Sequence, residues 1–368
     1  MTAFIPQMEP VITAADREAV SRYLESGGWL TEFDRTREFE TLIAGYTGAE
    51  FCATTPNGTL ALFLALSACG IGPGDEVIVP DLTMAASATA VLLAGARPVF
   101  VDIEPATLCL DLALAERQFT SRTKAVMFVS LNGRSPVDLA DFVARCRTQH
   151  IRVIEDAAQS LGSFRGERHL GTLGDCGCLS FSSQKLVTTG QGGAVVTNDE
   201  EISRRMRMRR DFGRLSGGSD HYIEVGWNLK FTDLQAVIGV EQMRRLPAMV
   251  ARKRHLFGGY RDRLSGVKGV RLPETDLGTV TPWFVDVLVE GSARSGLGTF
   301  LRERGIGSRE FYPALHTTPA LRSDVSCPVA ERIAQEGLWL PSSLNLEEAD
   351  VERVCSAMAD FFGAGRPG

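Results

Sequence analysis

One lysine stands alone in a long stretch of sequence without other charges. Lys185 lies between two β-type segments and is the sole charged residue from Cys176 to Asn198. If such a lysine is partly removed from water, its neutral amine is favoured, and Schiff-base chemistry needs that nucleophile. The chain has five lysines among 39 basic residues. An arginine could not replace Lys185, because a guanidinium stays protonated. A surface lysine on a hairpin-like connection is the alternative interpretation.

A carboxylate ends another β-type segment. Asp156 closes the run IRVIED, which places it at the carboxyl end of a strand, where ligands bind in open α/β sheets. At that position it could pair with a ribose hydroxyl, a metal ion or a protonated ring nitrogen. A simple helix-capping role is the alternative.

Two further segments have the pattern of an anion site. The turn-forming pair Asn57 and Gly58 leads directly into an apolar helix that Thr59 opens, and free amides at the start of a helix bind phosphate. Before another apolar helix, Asn228 and Lys230 could form an anion clamp. A plain helix cap and a solvated loop are the respective alternatives.

The elements that would position these residues alternate between β-type and helical patterns. Several of the β-type runs are almost wholly apolar, as expected for strands buried on both faces of a sheet. The alternation predicts an α/β layer with a largely parallel sheet. The runs are EVIVP (76–80), PVFVD (98–102), KAVMFVS (124–130), IRVIED (151–156), CLSF (178–181) and GAVVT (193–197).

The pattern changes in the last third of the chain. Two helical stretches, 231–245 and 247–264, are predicted with a break near Pro247, followed by a strand-like run at 283–290 and a closing helix at 347–362. We therefore predict a large domain over residues 1–245, which includes an N-terminal helical segment, and a smaller α+β domain over residues 246–368.

Composition narrows the class of protein. A net charge of −6 without a block of like charge argues against a nucleic-acid partner. The start lacks the pattern of a secretory leader, and the longest mostly apolar stretch, 84–96, is too short to cross a membrane. The eight cysteines lack the spacing of a zinc site. We expect a cytoplasmic protein with reduced thiols, no membrane association and no metal.

Taken together, several blocks resemble the DegT/DnrJ/EryC1/StrS family of sugar aminotransferases, which are pyridoxal-phosphate enzymes of fold type I. Their order and spacing over most of the chain make the resemblance specific for the family, although not for a substrate. The blocks are GWLT (28–31), NGT (57–59), GDEVIVP (74–80), VIEDAAQS (153–160), GTLGDCGCLSFSSQK (171–185), TTGQGGAVVTND (188–199), GWNLKFTDLQAVIG (226–239) and FYPALH (311–316).

The resemblance implies a role for each matching residue around pyridoxal 5′-phosphate. Lys185 would bind the cofactor as a Schiff base, Asp156 would keep its pyridine nitrogen protonated, and Gln159 would lie beside its ring hydroxyl. The phosphate would be held by Gly58, Thr59, Ser180 and the Asn228 of a partner subunit. A homodimer with shared sites is therefore the expected minimum assembly.

The chain departs from the family around the substrate. Met84 stands where members usually have an aromatic residue on the cofactor ring, which its polarisable sulfur could still cover. The segment EFDR (32–35) replaces a more usual glycine–proline turn near the substrate entrance. The residues expected to contact substrate are Thr31, Lys230, Tyr312 and His316.

The implied reaction is a two-stage transamination. L-glutamate would leave its nitrogen on the cofactor as pyridoxamine 5′-phosphate, and a nucleotide-linked keto sugar would then receive it. Lys185 would carry the proton as general acid and base. The product would be a nucleotide-linked amino sugar for polysaccharide, O-antigen or glycosylated natural-product synthesis.

Other activities remain open at this point. Some relatives dehydrate sugars, but they typically carry histidine where Lys185 stands; others aminate cyclitols or form aromatic amino acids. A nucleotide-binding oxidoreductase is disfavoured because no G-x-G-x-x-G follows the first strand. A non-catalytic cofactor-binding regulator is the last alternative, and release of 2-oxoglutarate from glutamate would exclude it.

Overall fold

A computed structural model describes residues 3–215, 220–291 and 293–363. The helices are α1 (Ala14–Glu25), α2 (Asp34–Thr47), α3 (Gly58–Ala68), α4 (Ala86–Leu93), α5 (Leu112–Arg117), α6 (Leu139–Thr148), α7 (Glu200–Arg210), α8 (Asp233–Leu264), α9 (Ala293–Glu303), α10 (Pro328–Glu336) and α11 (Glu348–Gly363). The strands are β1 (Phe51–Thr55), β2 (Glu76–Pro80), β3 (Arg97–Val101), β4 (Thr123–Val129), β5 (Arg152–Asp156), β6 (Phe164–Arg165), β7 (Arg168–His169), β8 (Cys176–Ser180), β9 (Gly193–Thr197), β10 (Val270–Arg271), β11 (Val285–Val289), β12 (Arg309–Glu310) and β13 (Gly337–Leu340).

The larger sheet has seven strands in the order β1-β9-β8-β5-β4-β2-β3. The strands from β8 to β3 are parallel, whereas β9 pairs antiparallel with both β8 and β1. All residues of β2 and β9 are buried, because helices cover both faces of the sheet. The sheet therefore brings the carboxyl ends of β2, β4, β5 and β8 to one edge.

Helix α3 packs into the core on one face of this sheet. Its residues from Ala61 to Ala68 are all buried, as expected for a helix that is apolar all round. Its first residues, Gly58 and Thr59, are only partly buried. The start of α3 is thus the accessible end of an otherwise enclosed helix.

The smaller sheet is antiparallel, with four strands in the order β10-β11-β13-β12. Its core combines β11 with apolar residues of α9, α11 and the second half of α8, among them Phe257, Leu301 and Met358. This arrangement is α+β. The domain boundary proposed at 245/246 stays a prediction.

The predicted break near Pro247 is wrong. Helix α8 runs without interruption from Asp233 to Leu264, with Pro247 inside it. A proline in a helix interior costs about 3 kcal/mol. Here the buried residues on either side of it, Leu246 and Val250, pack in the same apolar cluster. Tertiary packing therefore keeps the helix continuous across Pro247, a residue that would end an isolated helix.

Within the described ranges, none of the helices combines the length and the apolar character that a membrane crossing needs.

Candidate active site

Lys185 lies in the turn-rich connection that joins β8 to β9. Its backbone N–H donates to the carbonyl of Ser182 at 2.9 Å, and its Nζ lies 3.9 Å from the centroid of the Trp283 ring. Desolvation lowers the pKa of Lys185 to about 8, against the opposing effect of the Asp156 charge. The ammonium form still predominates at pH 7, but the neutral amine is far more populated than it would be at the ordinary lysine pKa of 10.5.

Asp156 ends β5 at the edge of the sheet that also carries Lys185. Its Oδ2 accepts a hydrogen bond from Ser87 Oγ at 2.7 Å, and its Oδ1 accepts one from the backbone N–H of Ala158 at 3.2 Å. Burial raises the pKa of Asp156, while these hydrogen bonds and the charge of Lys185 oppose the rise. Ser87 and the Ala158 amide are both neutral partners, so a cationic group would complete the environment of this carboxylate.

Gln159 is held by a chain of hydrogen bonds that starts at Phe284, just before β11. Its Oε1 accepts from the backbone N–H of Asn132 at 2.7 Å. Asn132 has a left-handed backbone, with φ of 55°, and exchanges two hydrogen bonds with the backbone of Phe284, at 2.9 and 2.7 Å. Since the Gln159 oxygen is occupied, its Nε2 amide hydrogens are the groups that can donate to a ligand.

The start of α3 approaches Ser180 closely. A Cβ on Gly58 would lie 3.0 Å from Ser180 Cβ and 3.2 Å from its Oγ. Asn57 caps the helix by accepting from Leu60 N–H at 3.0 Å. The N–H groups of the first helical turn have no acceptor within the helix, and together with the Ser180 hydroxyl they form donors suited to a phosphate. Only glycine at position 58 allows this approach without displacement.

Gln159, Ser180 and Lys185 line one cavity, and Trp283 forms part of its wall. Trp283 is fixed there because its Nε1 donates to the carbonyl of Gln184 at 2.8 Å. The structure thus brings together the predicted base, amide and hydroxyl, with Asp156 electrostatically coupled to the lysine.

Three other predicted residues lie in a different cavity. Thr31, Asn228 and Lys230 line a space of about 890 Å³ that does not include Lys185. Lys230 Nζ pairs there with Asp211 Oδ1 at 2.7 Å. The cavity is rich in cations, since Arg37, Arg204, Arg207, Arg210 and Arg214 also line it. Within one chain, these three residues therefore line a different cavity from that of Lys185.

His316 is buried and oriented by Asp81, which follows β2. The His316 Nδ1 lies 2.6 Å from Asp81 Oδ2, and its backbone N–H donates to Asp81 Oδ1 at 2.8 Å. Ligand atoms of Asp81, His316 and Cys327 lie within 4.8 Å of one another, a grouping that no local pattern in the sequence revealed. Both oxygens of Asp81 are already engaged by His316, so hydrogen bonding accounts for the cluster.

Tyr312 and Met84 differ in their surroundings. Tyr312 packs edge-on to Trp339, with ring centroids 4.9 Å apart, and burial raises the pKa of its phenol. Met84 is 48% exposed, and its sulfur lies 3.0 Å from the backbone nitrogen of Ala86. Met84 therefore has free surface on which a ligand could lie, whereas Tyr312 is part of an aromatic wall.

Three residues of the lysine cavity and its surroundings were missed by sequence reasoning. Ser87 lies within a helix, Asn132 in a short irregular turn, and Trp283 just before β11. None of the three belongs to a sequence motif that predicts a catalytic or binding residue. The left-handed Asn132 lies in the pair Asn132–Gly133, a turn signal that was available but pointed to no function.

The sequence of residues 10–359 matches the DegT/DnrJ/EryC1/StrS aminotransferase family. The chain is 38% identical over 359 residues to GDP-perosamine synthase of Caulobacter vibrioides, covering 95% of this chain and 96% of that protein. It is 34% identical to UDP-N-acetyl-3-dehydro-α-D-glucosamine 3-aminotransferase of Acidithiobacillus ferrooxidans, covering 96% and 94%. The crystal structure of the aminotransferase TlmJ from Streptoalloteichus hindustanus superposes with a TM-score of 0.92 at 34% identity, covering 98% and 99%. The predicted α/β fold is confirmed.

Proposed function

The chain belongs to the DegT/DnrJ/EryC1/StrS aminotransferase family, and from this premise we propose that it transfers the amino group of L-glutamate to a nucleotide-linked keto sugar, with pyridoxal 5′-phosphate as cofactor. The family prediction made from the motifs is confirmed. The substrate class is supported by the two curated relatives, whose names contain a nucleotide-linked sugar. The observation that carries the proposal is the cavity that Lys185 shares with Gln159 and Ser180, together with the electrostatic coupling of this lysine to the buried Asp156.

The residues around Lys185 fit the cofactor. The amides of Gly58 and Thr59 and the hydroxyl of Ser180 would hold its phosphate, because glycine allows the helix start to approach Ser180. Asp156, whose hydrogen-bond partners are neutral, would pair with the protonated ring nitrogen. Gln159 would donate to the ring hydroxyl. When bound, this cofactor withdraws electrons from the substrate carbon that loses a proton.

Lys185 would move that proton. Its neutral Nζ would take the proton from the substrate carbon that bears the nitrogen. The resulting ammonium would then return a proton to the cofactor carbon bonded to that nitrogen. The Trp283 ring face, 3.9 Å from Nζ, stabilises the ammonium form by a cation–π interaction. The chain's own contribution is thus a base that can be charged and uncharged near neutral pH.

The separation of Asn228 from Lys185 supports a homodimer with shared sites. Asn228 and Lys230 line the cation-rich cavity rather than the cavity of Lys185. Two apolar side chains lining the same cavity, Trp29 and Leu215, are 66% and 64% exposed, and a second copy seated here would remove them from water. We infer that a second copy covers this surface and that Asn228 of each subunit completes the phosphate site of the other.

Borohydride reduction tests the proposal. The purified protein, loaded with pyridoxal 5′-phosphate, should absorb visible light, and reduction should fix the cofactor to the peptide that contains Lys185. Lys253 is the matched control, because it is also a buried lysine, with a pKa lowered by desolvation to about 7. Labelling at Lys253 instead, or a colourless protein that binds no cofactor, would contradict the assignment.

The keto-sugar half of the proposal needs its own assay. The loaded protein should release 2-oxoglutarate from L-glutamate in a single turnover without any sugar. Subsequent addition of GDP-, UDP- and dTDP-linked keto sugars should regenerate the original absorbance only with the proper nucleotide and sugar. If glutamate reacts and none of these sugars does, the substrate class is wrong while the aminotransferase chemistry stands.

A further inference from the structure

An arginine that no sequence motif indicated lies beside the lysine cavity. Arg309 is exposed and belongs to β12 at the edge of the smaller sheet. Its Nη1 donates to Gln184 Oε1 at 3.3 Å. Its guanidinium carbon lies 5.3 Å from the centroid of the Trp339 ring and 5.8 Å from that of Tyr312. Two aromatic faces and one long hydrogen bond thus orient the side chain.

Arg309 is connected to the candidate catalytic lysine through the residue next to it in sequence. Gln184 accepts from Arg309 through its side chain and from Trp283 Nε1 through its backbone carbonyl, the latter at 2.8 Å. The Trp283 ring is the surface on which Lys185 Nζ rests, at 3.9 Å. The positive charge of Arg309 also contributes to the lowered pKa of Lys185. The guanidinium therefore lies within electrostatic reach of the reacting amine.

No carboxylate forms an ion pair with Arg309 in the part of the chain that the structure describes. The adjacent acid in the strand, Glu310, pairs instead with Arg294 at 3.1 Å. A guanidinium presents five N–H donors in a planar fork that matches two oxygens of one anion. Of these donors, the hydrogen bond to Gln184 uses one. A cation without an ion-pair partner, hydrogen-bonded to the residue next to Lys185, is suited to an anionic ligand.

We propose that Arg309 binds an anionic oxygen pair of the substrate, either a carboxylate of the amino donor or the diphosphate of the sugar nucleotide. This inference rests on the proposed function and names a recognition residue for the same site. Trp339 and Tyr312 hold the guanidinium plane, and Gln184 fixes its distance from Lys185. Binding of the anion orients the substrate carbon toward the Lys185 amine.

Three variants separate this role from a structural one. Arg309→Gln removes the charge but keeps a side chain that can hydrogen-bond to Gln184, and Arg309→Lys keeps the charge without the fork. Arg304→Gln is the matched control, because Arg304 is also exposed and rests on an aromatic ring, that of Phe300 at 3.4 Å. Among the described residues, it is Arg309 and not Arg304 that hydrogen-bonds to Gln184 and lowers the pKa of Lys185. Melting temperatures should be similar for all three.

Two measurements distinguish the sources of the anion. The amino-donor arm is the L-glutamate half-reaction, read as 2-oxoglutarate release against glutamate concentration. The diphosphate arm is calorimetric binding of GDP and of UDP to the loaded enzyme. In the arm that contains the true ligand, Arg309→Gln should weaken the apparent affinity for that ligand by about ten-fold or more, because a charge-assisted interaction is lost. Arg309→Lys should have an intermediate affinity, and Arg304→Gln should bind as the wild type does. The limiting rate at saturating glutamate should change far less than the KM.

A third readout does not depend on turnover. Acetylation of Lys185 in the cofactor-free protein, followed by mass spectrometry against pH, should shift to a higher midpoint in Arg309→Gln, because the Arg309 charge lowers the pKa of Lys185. Unchanged affinity in both arms overturns the proposal even if this midpoint shifts. Wild-type protein that releases no 2-oxoglutarate overturns the proposed function instead, so the two failures are distinguishable.

Discussion

At the scale of single residues, Asp156 and Lys185 influence each other's protonation. Burial favours the neutral form of both groups, whereas the carboxylate favours the protonated amine. The balance leaves the pKa of Lys185 at about 8. Below that pH the amine is mostly a proton donor, and above it mostly a proton acceptor. A single side chain can therefore serve both directions of a proton transfer close to neutral pH.

The variant Asp156→Asn tests this coupling. Because the Asp156 charge raises the pKa of Lys185, its removal should move the acetylation midpoint of Lys185 in the cofactor-free protein to a lower pH. In the loaded enzyme the L-glutamate half-reaction should slow by about 100-fold, since a charge-assisted contact to the ring nitrogen is lost. Asn can keep both contacts by accepting from the Ala158 amide and donating to the Ser87 hydroxyl, so the melting temperature should change little.

Asp102→Asn is the matched control for this variant. Asp102 follows β3, a strand at the edge of the same sheet, and accepts from the backbone N–H groups of Val329 and Ala330, at 2.9 and 2.8 Å. Its loss should lower the melting temperature and leave the acetylation midpoint of Lys185 in place. An unmoved midpoint in Asp156→Asn would show that the two groups are not coupled.

The sequence indicated the residues whose local context is unusual and missed those that act through distant contacts. Lys185 could be found because it is isolated among uncharged residues, and Asp156 because it ends an apolar run. Ser87 and Trp283 could not, because a serine in a helix and a tryptophan before a strand are common. Their contacts to Asp156 and Lys185 join positions 69 and 98 residues apart.

At the scale of elements, strands with a clear local pattern could be predicted, whereas a helix that depends on distant contacts could not. The apolar runs at 76–80 and 193–197 correspond to β2 and β9 with the same bounds, because burial on both faces leaves a clear pattern. Helix α8 could not be predicted as one piece, because the local signal of Pro247 opposes it. The energy that keeps it continuous comes from residues of α2, β9 and the smaller sheet, which the local sequence does not contain.

Pro247→Ala tests the continuity of α8. Pro247 is exposed within the helix, so alanine should restore a backbone hydrogen bond and relieve the clash with the preceding turn. Part of this gain is offset by the greater freedom of the unfolded chain. The free energy of unfolding should rise by about 1 to 2 kcal/mol, measured by urea denaturation. If a kink at Pro247 were needed for packing, the substitution would lower the free energy of unfolding instead.

At the scale of the whole molecule, residues predicted to serve one site line two different cavities of the same chain. Lys185 lines one cavity, and Asn228 lines another together with exposed Trp29. The proposed dimer unites them, and it makes each site depend on both subunits. Subunit exchange can therefore reveal whether Asn228 acts within its own chain or in the other one.

Mixed dimers of Lys185→Ala and Asn228→Ala subunits provide that test. Each parent dimer should be nearly inactive, whereas the mixed dimer should regain about half of the wild-type activity, since one of two symmetric sites has both residues intact. The activity is measured on dimers isolated through two different affinity tags. If Asn228 served its own chain, the mixed dimer would be no more active than the parents.

The control for this experiment pairs a wild-type subunit with a Lys185→Ala/Asn228→Ala subunit. In the shared arrangement, each site of this dimer has lost one residue, so its activity should stay low. Recovery of half the activity in this dimer, rather than in the mixed one, would contradict the shared site.

The unbroken helix α8 also limits where this chain can be joined to a related protein in a chimera. Its first half packs beside the larger sheet and its second half beside the smaller one, so a join at residue 245 would divide a helix of 32 residues near its middle. The two halves of that helix would then come from different parents, although each half must fit its own core and continue the other without a break. Chimeras that exchange the C-terminal part with a relative should therefore be joined after Leu264, where the helix ends, so that each parent contributes whole elements.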